Sequence, residues 1–274
     1  EIFRRFYIER LKKLSTPKRE HISYSELKDW AKCPHYHKKA WVERVAPFEG
    51  NEYTAFGSAI HDVCEKKLLK EDIDEAEIFQ LGFAKRLQEL LEKNIEVNPT
   101  NVHQMKTAGP AILGEVEEAL EAYFGEYEVF SSEEMLYVPI GDFNIFFKGF
   151  VDAVVKVGDT YHLFDWKTCS WGWDSRRKAE KLVTYQLTLY KHFFCQKHKI
   201  DPEKVETHFA LLKRTAKKDR VEIFKVTSGP KKTENALKLL YQAIYNITKR
   251  FSIKNRLNCH KPYPCNLLNT EHCP

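Results

Sequence analysis

The stretch GFVDAVVKVGDTYHLFDWK, residues 149–167, decides the fold. Two runs rich in β-branched and aromatic residues flank Gly158-Asp159, and a two-residue turn with Gly first is a favoured hairpin connection. With Val157 facing Thr160, stepping outward along both strands brings Asp152 opposite Asp165. Side chains alternate along a strand, so Asp152, Asp165 and Lys167 share one face while Val151, Val155, Phe164 and Trp166 take the other. Counted from the turn, the Asp152/Asp165 pair falls at a non-hydrogen-bonded position, where facing Cα atoms lie about 4.5 Å apart. Carboxylates that close repel unless a cation lies between them. A divalent metal such as Mg2+, held by carboxylates and water, is one solution. Lys167 then stands where it would orient a water or stabilise developing negative charge. A solvated strand face with ordinary Asp–Lys pairs is the other solution.

Around this hairpin the 274 residues read as helices, then sheet, then helix, then sheet and a last helix, a mixed α/β pattern with one central sheet. Hydrophobic residues make up 43% of the chain, which supplies a packed core and excludes wholesale disorder. Apolar runs such as Phe150 to Val155 fall far short of the roughly 20 residues that span a bilayer, so no membrane-spanning helix is expected. Seven cysteines favour free thiols or metal ligands over a disulfide framework. Together with the charged start Glu1-Ile2-Phe3-Arg4-Arg5, they predict an intracellular, cytoplasmic protein. Residues 1–20 predict a basic amphipathic helix, and Ser23 to Glu26 cap a helix that ends near Cys33-Pro34. Helical spacing predicts further helices over 54–69, 74–93, 110–124, 179–197 and 233–251, with a polar loop from Asn98 to Gly109. Strands are expected over 135–140, 144–157 and 160–168, with a hairpin of 205–214 and 220–226. This suggests a helical region over 1–130, a core over 131–254 and an irregular Cys-rich tail over 255–274 that packs back on the N-terminal region.

Two more groups bear on the carboxylates. Gln186 and Tyr190 lie four apart on one helix, hence on one face. Phe56-Gly57-Ser58-Ala59-Ile60-His61 sets a glycine one turn before a histidine, as if something large approaches the helix there. In order, Ser23 to Leu27 with Cys33-Pro34, Gly57 to His61, Gly149 to Asp152, Asp165-Trp166-Lys167 and Gln186 to Tyr190 resemble the motifs of the PD-(D/E)XK nuclease superfamily. They resemble in particular its RecB-like branch, which includes nuclease domains of bacterial recombination helicase-nucleases, CRISPR adaptation-associated nucleases and many phage exonucleases. The resemblance implies a restriction-endonuclease-like α/β core, a central mixed sheet flanked by helices. It implies His61, Asp152, Asp165 and the Trp166 carbonyl as ligands of Mg2+ or Mn2+, Lys167 as catalytic lysine, and Gln186 and Tyr190 as supports of the site. Glu65 and Glu134 are further candidate carboxylates.

Several members of that branch hold a [4Fe-4S] cluster with one cysteine before the core and three after it. Cys33, Cys259, Cys265 and Cys273 match in count and position, although the usual CxxC pair is missing. An iron-sulfur cluster, Zn2+ with His260 or His272 as a fourth ligand, and plain thiols all stay open. Trp171, Trp173, Arg176, Arg177 and Lys178 directly follow the catalytic strand, and Lys213, Arg214, Lys217 and Lys218 form a second basic patch. These residues suit stacking on bases and neutralising phosphates of a single strand; the tryptophans otherwise pack on the core and the charges are solvated. The implied activity is metal-dependent hydrolysis of DNA, from ends or on single strands, in recombination, repair or phage DNA processing, with a helicase or recombination partner. A flap-type endonuclease and a non-catalytic DNA-binding subunit are the alternatives.

Overall fold

The computed structural model describes residues 20–45, 48–260 and 265–274; the helix expected over residues 1–20 lies, all but Glu20, outside the described residues. Among the described residues six strands form one mixed sheet: β1 (His21–Ser23), β2 (Glu128–Pro139), β3 (Phe146–Val157), β4 (Thr160–Cys169), β5 (Val205–Lys213) and β6 (Val221–Lys225). The order is β1-β3-β4-β5-β6, with β2 also paired to β3. The register expected around Gly158-Asp159 holds from Val157↔Thr160 to Ala153↔Phe164, and Gly158 takes the left-handed φ of 56° that a side chain there would resist. The β3–β4 ladder stops one step short of Asp152 and Asp165, while Asp165 stays paired with Phe209 of β5. β4 then pairs parallel with β5, Tyr161↔Val205 through Cys169↔Lys213, and β5 returns antiparallel into β6. β2 starts at Glu128, well before the expected residue 135.

The helices are α1 (Tyr24–Lys32), α2 (Pro34–His37), α3 (Glu52–Leu68), α4 (Glu75–Glu92), α5 (Pro99–Phe124), α6 (Ser175–Ala179), α7 (Lys181–His198) and α8 (Pro230–Thr248). Among the described residues no helix is long and apolar enough to cross a membrane. The fold divides into two compact units that interleave along the chain, unlike the three consecutive segments expected from the sequence. One comprises the described residues up to Phe48 together with Leu136–Gly149 and Gly229–Pro274; the other comprises Glu49–Met135 and Phe150–Ser228.

In the second unit α3, α4 and α5 cover one sheet face, burying Ala153, Val155, Phe164, Trp166, Ala210 and Leu212 beneath them. α7 packs on β4 and β5. The expected loop from Asn98 to Gly109 is instead the first half of α5. Asn98 caps it by accepting from the Thr100 and Asn101 amides at 2.9 and 3.2 Å, with Pro99 in the first turn. Met105, Ala108, Ile112, Leu113 and Val116 then continue one buried stripe at helical spacing. Pro110 sits inside this helix and has no N–H to give the Lys106 carbonyl; that carbonyl accepts the Gln80 side-chain amide of α4 at 2.8 Å. Gly109 meets Phe79, which stacks with Phe83 at 5.7 Å and meets Phe56 edge-on at 5.7 Å.

A Cβ on Gly109 would lie 2.2 Å from the Phe79 ring, whereas one on Gly114 would meet nothing within 4 Å. Gly109→Ala should therefore destabilise by about 1–3 kcal/mol through overpacking, against its gain in helix propensity. Gly114→Ala on the same helix should stabilise by up to about 1 kcal/mol. Urea unfolding of the two variants tests this, and equal signs would contradict the packing around Phe79.

Candidate active site

The three charged residues of the hairpin meet as the alternation requires. Asp165 is 2% exposed and its Oδ2 faces the Lys167 ammonium as an ion pair. That oxygen is nonetheless buried without a hydrogen bond of regular geometry. Its Oδ1 accepts from Gln186 Nε2 on α7 at 2.7 Å, and the same amide meets the Tyr190 hydroxyl at 3.2 Å. The expected i, i+4 pair thus acts from behind Asp165: Gln186 fixes the carboxylate and buried Tyr190 backs the amide. Asp152 Oδ2 accepts the Trp166 amide at 2.7 Å, in place of the missing ladder step. His61 on α3 brings Nδ1 to 3.6 Å from the same Asp152 oxygen and has the Trp166 backbone as a hydrogen-bond partner. Gly57, one turn earlier, explains how α3 comes so close: a Cβ there would lie 3.2 Å from Thr168 Oγ1 on β4. The large thing that approaches this helix is β4 itself.

The electrostatics follow from this crowding. Burial, and then the charge of Asp165, raise Asp152 well above the ordinary carboxylate range, with Lys167 opposing. For Lys167, burial alone would depress the ammonium, but Asp165 and Asp152 outweigh it and the pKa ends above the ordinary value. Burial lowers His61 to about 4, so the imidazole is neutral near pH 7 and in its ligating form. Two carboxylates and a neutral imidazole thus neighbour one another, His61 3.6 Å from Asp152, with one buried carboxylate oxygen of Asp165 lacking a regular donor. That donor set fits a divalent cation such as Mg2+ or Mn2+.

Of the other expected carboxylates, Glu134 does not join this set. It is buried and held by Lys197 and His198, each at 2.7 Å. The acid whose charge reaches Asp152 is its neighbour Glu133, in a left-handed backbone of φ 46° within β2. Glu133 also raises Glu65, whose largest shift comes from burial.

A family model described as the PD-(D/E)XK nuclease superfamily matches residues 21–274. The chain belongs to that superfamily. Among solved structures, a candidate exonuclease from Eubacterium rectale matches with 14% identity and a TM-score of 0.56, covering 88% of this chain and 86% of its own. That likeness shows the fold, a six-stranded mixed sheet flanked by helices. The structure of SSO0001 matches at 13% identity, covering 89% and 83% of the two chains, with a TM-score of only 0.36. Among curated proteins nothing matches the chain.

In this PD-(D/E)XK chain the expected DNA-contacting residues separate. Trp171 is 71% exposed, and Arg176, Arg177, Lys217 and Lys218 are exposed as well. Trp173 is 9% exposed, packed on Phe209 and Phe224 with ring centroids at 5.2 and 6.2 Å, so it is core and not a stacking platform. Arg177 lies over its outer side at 4.8 Å. Glu222 pairs with both Lys178 and Lys213, the latter at 3.6 Å, which spends their charge locally. Arg214 stacks over Tyr53 at 5.1 Å and donates to Ser170 Oγ at 2.8 Å.

The four cysteines of the other unit also converge. Asn255 donates its amide to Cys33 Sγ at 3.4 Å and its side-chain amide to the Lys32 carbonyl at 3.0 Å; His35 meets the His272 carbonyl at 2.9 Å. Burial raises the Cys259 thiol, and Cys33, Cys265 and Cys273 raise it further, so all four share one neighbourhood. Cys64 and Cys195 are buried and Cys169 is partly buried.

Because Asp152 holds its proton more tightly folded than unfolded, the folded state binds more protons between the two pKa values, and its stability falls as pH rises through that window. Asp152→Asn keeps an acceptor for the Trp166 amide and removes the charge. In EDTA, the variant should melt above the wild type at pH 7, and the gap should shrink as pH falls toward 4. A gap that widens on acidification would contradict the raised Asp152.

Proposed function

We propose that this chain is a metal-dependent DNA nuclease of the RecB-like branch, hydrolysing phosphodiesters from strand ends or on single strands. The observation that carries the reading is the meeting of Asp152, Asp165, Lys167 and His61, with Gln186 fixing Asp165 from behind. Asp152, Asp165, His61 and the Trp166 carbonyl would hold Mg2+ or Mn2+. A divalent cation bound there supplies Lewis-acid stabilisation of phosphate charge and lowers the pKa of water. Lys167, kept protonated by the two carboxylates, places a fixed positive charge beside the reacting phosphate. Gln186 prevents Asp165 from rotating away, so little of the site must reorganise at the moment of reaction. Exposed Trp171, with Arg176 and Arg177 just beyond β4, supports single-stranded substrate, since an aromatic face stacks on any base. The name of the Eubacterium rectale protein agrees with an exonuclease mode. Recombination, repair or phage DNA processing, with a helicase partner, is the setting this activity suits.

The reading includes a [4Fe-4S] cluster on Cys33, Cys259, Cys265 and Cys273. Cys33, Cys265 and Cys273 all act on the charge of the Cys259 thiol, which supports four thiols gathered for one metal centre, and four thiolates are what such a cluster needs.

End-labelled single- and double-stranded DNA, with Mg2+, with Mn2+ and with EDTA, tests the nuclease. Wild type should degrade it only with metal, and Lys167→Ala should cleave about 10²–10³-fold more slowly while still binding DNA. Binding without cleavage by wild type on every substrate would instead favour a DNA-binding subunit. Separately, anaerobically purified protein should show a broad absorbance near roughly 400 nm, the region of cysteine-ligated iron-sulfur centres. A colourless protein with bound zinc would replace the cluster by a zinc site.

A further inference from the structure

On the other face of β4, away from Asp165 and Lys167, a second group of metal-ligating side chains meets. The parallel register sets His162 beside Glu206 and Phe164 beside His208, so the two histidines and the glutamate share the face covered by α5. His162 Nδ1 lies 3.0 Å from His208 Nε2, and Glu206 Oε2 lies 3.7 and 3.9 Å from these two nitrogens. Nitrogen ligands about 2.0–2.1 Å from a tetrahedral zinc stand about 3.3 Å apart, close to the observed spacing. The outer contacts hold the set in this orientation. Lys225 takes Glu206 Oε1, leaving Oε2 turned to the imidazoles. The Tyr123 hydroxyl meets His208 Nδ1 at 3.2 Å, and in the tautomer where Nδ1–H donates to it, Nε2 presents its lone pair, as outer partners of metal-bound histidines do. Phe124 packs on both rings at 5.2 and 5.3 Å, limiting water.

We propose that His162, Glu206 and His208 form a second metal site, selective for Zn2+ or a similar first-row ion over Mg2+, that clasps β4 to β5. Two imidazoles and one carboxylate are a borderline donor set, which suits zinc and not magnesium. The site stands whether or not the chain cleaves DNA.

Metal content after equilibration with Zn2+ and removal of loosely bound ion tests it. Glu206→Gln and His162→Gln are chosen because those side chains are 31% and 13% exposed and tolerate change better than buried His208. Each variant should hold one Zn2+ fewer than wild type, while zinc at the cysteines or the carboxylates is common to all three. Tyr123→Phe should keep the ion but bind it about 10–100-fold more weakly. Equal zinc content in wild type and both variants would overturn the proposal and leave a hydrogen-bonded polar cluster. Should the variants fail to fold, zinc-edge anomalous scattering from wild-type crystals decides. A peak between the two imidazoles supports the site, and its absence overturns it.

Discussion

Two carboxylates and one ammonium, held together under α7 on the β3–β4 hairpin, set the terms for the rest of the second unit. Burial and the neighbouring charge of Asp165 raise Asp152, and Lys167 and the Trp166 amide offset them in part. Such a site is costly to the metal-free fold, since a buried unpaired charge is worth several kcal/mol. The chain answers with directed donors. The Trp166 amide takes Asp152, and Gln186 takes Asp165. Both answers require backbone to be brought close: the Gly57 turn of α3 against Thr168, and α7 against β4. A preorganised site of fixed dipoles results, which is what stabilises charge that develops during a reaction.

The helical layer behind the sheet solves a separate problem. α5 runs through its own proline without a stranded carbonyl because Gln80 of α4 reaches across to Lys106. It packs tightly because Gly109 offers no side chain to Phe79. The end of α5 then supplies Tyr123 and Phe124 to the His162, Glu206 and His208 group, so the same helix that walls the core also shapes the clasp between β4 and β5.

How far the sequence reveals this depends on how local each determinant is. The hairpin register is legible because a Gly-first turn and a period of two leave no freedom, and Asp152, Asp165 and Lys167 follow from it. Gln186, Tyr190 and His61 are legible as helical spacings but acquire their roles only from tertiary contact. The first half of α5 is hidden because its residues are polar and Pro110 mimics a helix start, while the true signal is the smaller one of Asn98 before Pro99. Trp171 and Trp173 stand two apart in sequence, yet one is exposed and the other buried on Phe209, a residue some forty positions away. His162, Glu206 and His208 meet only once β4 and β5 are known to run parallel in this register, and a crossover connection writes no such register into the sequence.

The central claim is that Asp152 and Asp165 build the cation site of this nuclease-family chain. Titration of Mn2+ followed by electron paramagnetic resonance of the free ion tests it most directly, with the His162, Glu206 and His208 group and the cysteines unchanged throughout. The account predicts that wild type withdraws one more equivalent of Mn2+ from solution than the Asp152→Asn, Asp165→Asn double variant. Equal uptake by the two folded proteins would contradict it.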